Sequence, residues 1–163
     1  MAPVITGLFH VAVKTSNLEA TRNFYCGVIG LVEQERPDFG YPGAWLAVPV
    51  PGGMGILHVY AGGPALGADG IAPTGTGAID HVSLMGVGYA AYVDRFRGAG
   101  LPWREFIIPG TSLWQLFVYD PSGVQLELTF NGSFEDSETP EISPERLYQP
   151  GQSFFDPAAY AQL

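Results

Sequence analysis

Two stretches of the chain share one alternation of apolar and polar positions. Gly7–Lys14 (GLFHVAVK) and Ala78–Met85 (AIDHVSLM) each alternate over eight residues and carry histidine in the fourth place, the period-two pattern of a half-buried strand. A helical pattern follows each. After the first, Leu18, Phe24, Tyr25 and Val28 make an apolar stripe, with Ser16 and Glu19 spaced as a capping box and Gly27 and Gly30 as stops. After the second, Tyr89, Tyr92, Val93 and Phe96 recur at helical spacing before Gly98 and Gly100. Each helix is followed by three strand-like runs: Leu31–Arg36, Ala44–Val50 and Gly55–Tyr60 in the first copy, then Trp103–Ile108, Leu113–Tyr119 and Val124–Phe130 in the second. Pro49, Pro51, Gly52 and Gly53 punctuate one hairpin, and Asp120, Pro121, Ser122 and Gly123 the corresponding one.

The chain therefore reads strand–helix–strand–strand–strand twice, an internal repeat that sets the expected architecture. The expected fold is α+β: two βαβββ modules, about 7–60 and 78–130, joined by a linker at 61–77 within one domain over 1–130. Residues 131–163 differ in kind, with six acidic residues, Arg146 alone as a base, and four prolines. They read as an irregular tail whose leading interpretation is a solvated extension, with docking through Phe154, Phe155 and Tyr160 as the other.

Composition narrows the chemistry. The chain has 163 residues, 47% of them hydrophobic, enough for one compact domain with a real core. Seven basic against sixteen acidic residues give a net charge of −9, which disfavours nucleic acid and phosphate-rich ligands as partners. The single Cys26 excludes an internal disulfide and a thiolate cluster. Phe39–Ala68 is uncharged but holds twelve Gly or Pro residues, so no membrane span is expected. Met1–His10 lacks the basic start and long apolar run of a targeting signal. A cytoplasmic protein with a small-molecule substrate is the expectation.

The three histidines all fall in strand patterns. His10 and His81 occupy the same place in the two copies, and His58 in the last strand of copy one matches Glu127 in the last strand of copy two. Strand alternation puts Val124, Leu126, Leu128 and Phe130 on one face and Gln125, Glu127 and Thr129 on the other. By the same parity His10, His58 and His81 lie on the face away from the helices. Sheets that curl toward each other bring the four into one cup. Two imidazoles and a carboxylate make a facial triad for a divalent metal; Fe(II), Mn, Ni, Co and Zn all suit such donors.

The segments LFHVAVKTSNLEATRNFYCGVIGL (Leu8–Leu31), IDHVSL (Ile79–Leu84) and QLFVYDPSGVQLEL (Gln115–Leu128) resemble the vicinal oxygen chelate superfamily: glyoxalases, extradiol dioxygenases, epimerases and drug-resistance proteins. The resemblance covers most of Gly7–Phe130 and none of the tail. It implies a cup-like half-barrel with metal ligands at His10, His81 and Glu127. It also implies that His58 is either a proton shuttle outside the ligand set, the extradiol pattern, or a fourth ligand, the glyoxalase pattern. The histidine favours the shuttle and so an Fe(II) ring-cleaving dioxygenase acting on a small catechol. A lyase or isomerase with a Lewis-acid metal is the alternative, and a metal-free drug-binding protein a further one. The extradiol tyrosine ten residues before the glutamate is Phe117 here; Tyr119, two residues on, is the substitute candidate. Trp45, Tyr60 and Phe117 are expected to line the substrate pocket. The superfamily's modules pair within one chain or between two, which makes a homodimer an expected partner state.

Overall fold

The computed structural model describes residues 3–163. Two four-stranded sheets form, one per sequence repeat. The first contains β1 (Val11–Lys14), β2 (Val32–Gln34), β3 (Gly43–Ala47) and β4 (Gly55–Tyr60), in the order β1-β4-β3-β2. The second contains β5 (Val82–Gly86), β6 (Trp103–Ile107), β7 (Leu113–Tyr119) and β8 (Gln125–Asn131), in the matching order β5-β8-β7-β6. In both, the first strand lies parallel to the last and the remaining pairs are antiparallel. This is the expected pair of βαβββ units.

The helices differ from each other. In α1 (Leu18–Arg22) the cap is Asn17 rather than Ser16: its side-chain oxygen accepts the Ala20 amide at 3.1 Å. Thr15 Oγ1 meanwhile accepts the Asn17 amide, so the polar run Thr15–Asn17 turns the chain one residue later than the capping-box spacing implies. Gly27 does not stop the helix. The chain widens instead into a π-helical stretch over Asn23–Ile29 and ends at Gly30, whose φ of 89° is left-handed, a conformation glycine adopts without Cβ cost. The second helix, α2 (Tyr89–Gly98), begins where Glu135 accepts the Gly88 and Tyr89 amides. That carboxylate comes from beyond β8 and satisfies donors that α2 has no local residue to cap.

One core joins the two modules. Phe24, Tyr25, Phe96, Leu46, Leu116, Leu126 and Phe130 are fully buried between the sheets and helices. Cross-module bonds tie it: Tyr92 donates to the Ile29 carbonyl at 2.7 Å and Tyr25 to Asp120 at 3.0 Å. Each large apolar side chain so buried contributes about 1.5–3 kcal/mol. Gly132, just past β8, lies flat against Trp114, and a Cβ there would overlap the indole ring. Gly132→Ala is accordingly expected to cost about 2 kcal/mol, read as a lower urea midpoint at unchanged m-value.

The tail packs onto the second module. It pairs beside β6 through Glu105 and Leu147, and Arg146 lies over Trp103 at 3.4 Å. Tyr148 stacks flat on Phe117, with ring centres 3.6 Å apart. Phe154 and Phe155 close on Tyr119, and Tyr160 donates to the Tyr119 carbonyl and meets Phe24 edge-on. No helix among the described residues is long and apolar enough to cross a membrane.

Candidate functional site

The candidates sit in two pairs, one on each sheet, on the faces turned from the shared core. On the first sheet Leu57 and Val59 point into the core while His58 points away, opposite Trp45 in the register. His58 lies between two rings. Trp45 stacks on one side at 4.6 Å and His10 on the other at 3.9 Å, with interplanar angles of 12° and 19°. An imidazole binds a metal in its own plane, so two nearly parallel stacked rings share no in-plane point. In this arrangement His58 is therefore a neighbour of His10 rather than a co-ligand. Burial lowers the His58 pKa, with His10 and Arg36 adding to the shift. The ring is therefore neutral at physiological pH and can accept a proton. Tyr60, also on this face, packs edge-on against Tyr41.

On the second sheet Glu127 is only 7% exposed, and its charge is met by hydroxyls: Ser83 and Thr129 donate to Oε1 at 2.6 and 2.7 Å. Its Oε2 lies 3.3 Å from His81 Nε2. The other histidine nitrogen, Nδ1, is 2.7 Å from Asp80 Oδ1. A carboxylate on Nδ1 fixes ring orientation and favours the tautomer that leaves Nε2 as the ligating or proton-accepting nitrogen. Phe117 meets His81 edge-on at 5.7 Å. Asp80 is reached in turn by the hydroxyl of Tyr148, which also accepts from Gln125.

Among the described residues no three His, Cys, Asp or Glu side chains form one group that could hold a metal ion. The structure joins His10 to His58 and His81 to Glu127, and does not gather the expected triad into one cluster. The donors nonetheless suit a divalent ion in kind. His10 Nδ1 is buried without a hydrogen-bond partner, and His81 presents Nε2 beside a carboxylate already hydrogen-bonded on its far oxygen. Tyr119 donates its hydroxyl to Gln125 at 2.7 Å and is covered by Phe154 and Phe155. Phe117 is buried under Tyr148. Trp45 and Tyr60 remain on the open face of the first sheet.

Asp80, Ser83, Gln125 and Tyr148 complete the second half and were not singled out from the sequence. Asp80 and Ser83 carried a local signal, since they flank His81 at one and two residues. Tyr148 carried none, because no strand register extends into the tail. An apolar cavity of about 530 Å³ lies elsewhere: it opens between β1 and β5 on their helix side, against Tyr25, Ile29, Leu126 and Leu128. Of the candidates only His10 borders it.

The architecture gives the fold: two paired βαβββ modules arranged as in the glyoxalase/bleomycin resistance/dioxygenase proteins, as the repeat indicated. No family model matches the chain. A curated relative, glyoxylase I 4 of Arabidopsis thaliana, is 28% identical to it over 131 residues, covering 76% of this chain and 70% of the relative. Among solved structures, lactoylglutathione lyase from Agrobacterium tumefaciens superposes with TM-score 0.57 at 17% identity, covering 80% of this chain and 97% of that one. A genomically encoded fosfomycin resistance protein from Listeria monocytogenes gives 0.58 at 15% identity, covering 78% and 94%. A glyoxalase/dioxygenase from Nostoc punctiforme gives 0.58 at 18% identity, covering 80% and 98%.

Proposed function

We propose that the protein is a divalent-metal-dependent enzyme of the vicinal oxygen chelate type, with glyoxalase-like lyase or isomerase chemistry. One observation carries the reading: His81 held by Asp80 on Nδ1 and set against Glu127 on Nε2. A solvated strand histidine has no need of carboxylates on both nitrogens, whereas a metal-binding one commonly has an orienting partner on its second nitrogen. His10 joins His81 and Glu127 as the third donor. When bound, the ion supplies Lewis-acid polarisation of two neighbouring substrate oxygens. The chain's own residues do the rest. Trp45 gives a flat wall, Ser83 and Thr129 hold Glu127 in place, and neutral His58 takes and returns the substrate proton at its ring nitrogen.

The relative named glyoxylase I and the fold neighbour named lactoylglutathione lyase support the lyase side. So does Tyr119: the hydroxyl wanted by ring-cleavage chemistry is engaged with Gln125 beneath the tail. A ring-cleaving dioxygenase remains the second reading, favoured by His58 standing beside rather than among the ligands. The two half-sites are completed, in this proposal, by a second copy of the chain. Leu8, Phe9, Met85 and Val87 border the cavity beside His10 and are 79%, 67%, 89% and 77% exposed, an apolar surface that association would cover.

Metal content after anaerobic loading with Fe(II) or Zn tests the site. Wild type is expected to hold about one ion per chain, and His81→Ala and Glu127→Ala less than about a tenth of that, each having lost a direct ligand. Retention by both variants would overturn the ligand assignment. Zn-loaded protein that isomerises a hemithioacetal without oxygen supports the lyase reading. Oxygen uptake with catechols by Fe(II)-loaded protein, and no isomerisation, replaces it with the dioxygenase.

A further inference from the structure

We propose that Arg36 is the anchor for an anionic group on the substrate, so that the first-module face selects small planar carboxylates. The proposal deepens the functional reading above and rests on this face being half of the substrate site.

Arg36 follows β2, and its guanidinium packs against two neighbouring rings, 4.7 Å from the centre of Phe39 and 4.8 Å from that of Tyr41, which themselves stack at 5.9 Å. Gly43 lies beside the guanidinium, although a side chain there would meet the Val59 carbonyl first. A Cβ there would stand 3.3 Å from Arg36 Cζ and Nε. Gly43 pairs with Tyr60, and Trp45, two residues on, pairs with His58. Strand parity therefore puts the guanidinium on the face that carries Trp45, His58 and Tyr60.

The charge has no internal use. Arg36 Nη2 is buried and has no hydrogen-bond partner. The other guanidiniums that lie over rings are satisfied differently: Arg104 and Arg146 each donate to the Trp103 carbonyl, and Arg95 to that of Val28. Arg22 and Arg97 have carboxylates. Among the described residues Arg36 has no ion-pair partner, in a chain of sixteen acidic residues. A buried guanidinium N–H without an acceptor is costly; the two ring contacts restrict the guanidinium, whose fork matches a carboxylate two bonds to two. Beside it stands the stacked Trp45–His58–His10 column, which suits a flat group attached to that carboxylate. The low count of basic residues disfavours a phosphate-rich ligand; one unpaired cation on the site face points to a singly charged one.

The test uses metal-free protein with benzoate as probe and benzamide, its neutral isostere, as control, followed by amide and guanidinium NMR shifts. Benzoate is expected to bind at least tenfold more tightly than benzamide and to move the Arg36 side-chain resonance. Arg36→Gln should lose that preference, and Arg36→Lys, which keeps the charge without the fork, should retain part of it. Equal affinity of wild type for the two probes overturns the proposal, as does benzoate binding by Arg36→Gln at the wild-type level. The wild-type comparison stands even where a variant folds poorly. Metal uptake is measured separately: if wild type loads metal normally but shows no benzoate preference, the anchor fails and the enzyme reading stands. If benzoate binding depends on Arg36 but no metal loads, the enzyme reading fails and the anion site stands.

Discussion

A chain shortened to end at Glu138 is expected to lose more than about 5 kcal/mol of stability and to unfold at room temperature. The tail is far from a solvated extension. Tyr148 and Tyr160 are buried, and Phe154 and Phe155 are half-buried. Full burial of such an aromatic contributes about 1.5–3 kcal/mol and half-burial about half as much, and removing them also bares Phe117 and Tyr119. The sum rivals the 5–15 kcal/mol that holds an ordinary domain together. Far-UV circular dichroism and urea titration of the shortened chain would decide the matter. A midpoint close to that of the full chain would mean the tail merely rests on the surface. Tyr148→Ala, which deletes one stacked ring and the bond to Asp80, should cost about 2–3 kcal/mol with the fold retained.

The second large effect is at Asp120, in the turn between β7 and β8. Its side chain accepts from the Ser122 and Val124 amides through Oδ1 and from Tyr25 through Oδ2. Asp120→Ala leaves three buried donors unpaired at about 1–3 kcal/mol each, and a loss of about 3–5 kcal/mol is expected. Asp120→Asn keeps an acceptor for the amides and should cost less. The two carboxamide and carboxylate forms separate by pH. Burial pushes the Asp120 carboxyl up to about 6 from its ordinary 3.8, with the hydrogen bonds only partly opposing. Between those values the folded chain binds a proton that the unfolded chain does not, so this group's contribution to stability rises as pH falls through that window and is absent above it. Relative to Asp120→Asn, wild type should therefore gain about 1 kcal/mol on going from pH 7 to pH 5. An unchanged difference would show that the carboxylate is not desolvated as its position implies.

Most of the fold was legible because repetition and alternation are strong signals. β4 and β7 fall where the alternation put them, and the histidines and Glu127 lie on the faces parity assigned. The misreadings are local and physical. Ser16 lost the cap to Asn17 because Thr15 starts the turn a residue late, and Gly27 did not end the helix because the chain widened there instead. The site was legible by halves. Parity identifies a face, but it does not set the distance between two sheets, and so the triad divides into His10 with His58 and His81 with Glu127. Tyr148 and Arg36 were hidden for another reason. Tyr148 lies in the tail, and β2 stops at Gln34 rather than running to Arg36, so only three-dimensional packing brings the two to a face.

The bonds that cross between modules bear on how the protein comes apart. Tyr25 reaches Asp120, Tyr92 reaches Ile29, and Tyr160 lies between Phe24 and Tyr119. Each strips a buried partner from the other half if either half opens. The repeat is thus a property of sequence and architecture but not of thermodynamics. Unfolding should proceed as a single cooperative transition, the same by tryptophan fluorescence as by circular dichroism, with neither half able to serve as a separable folding unit.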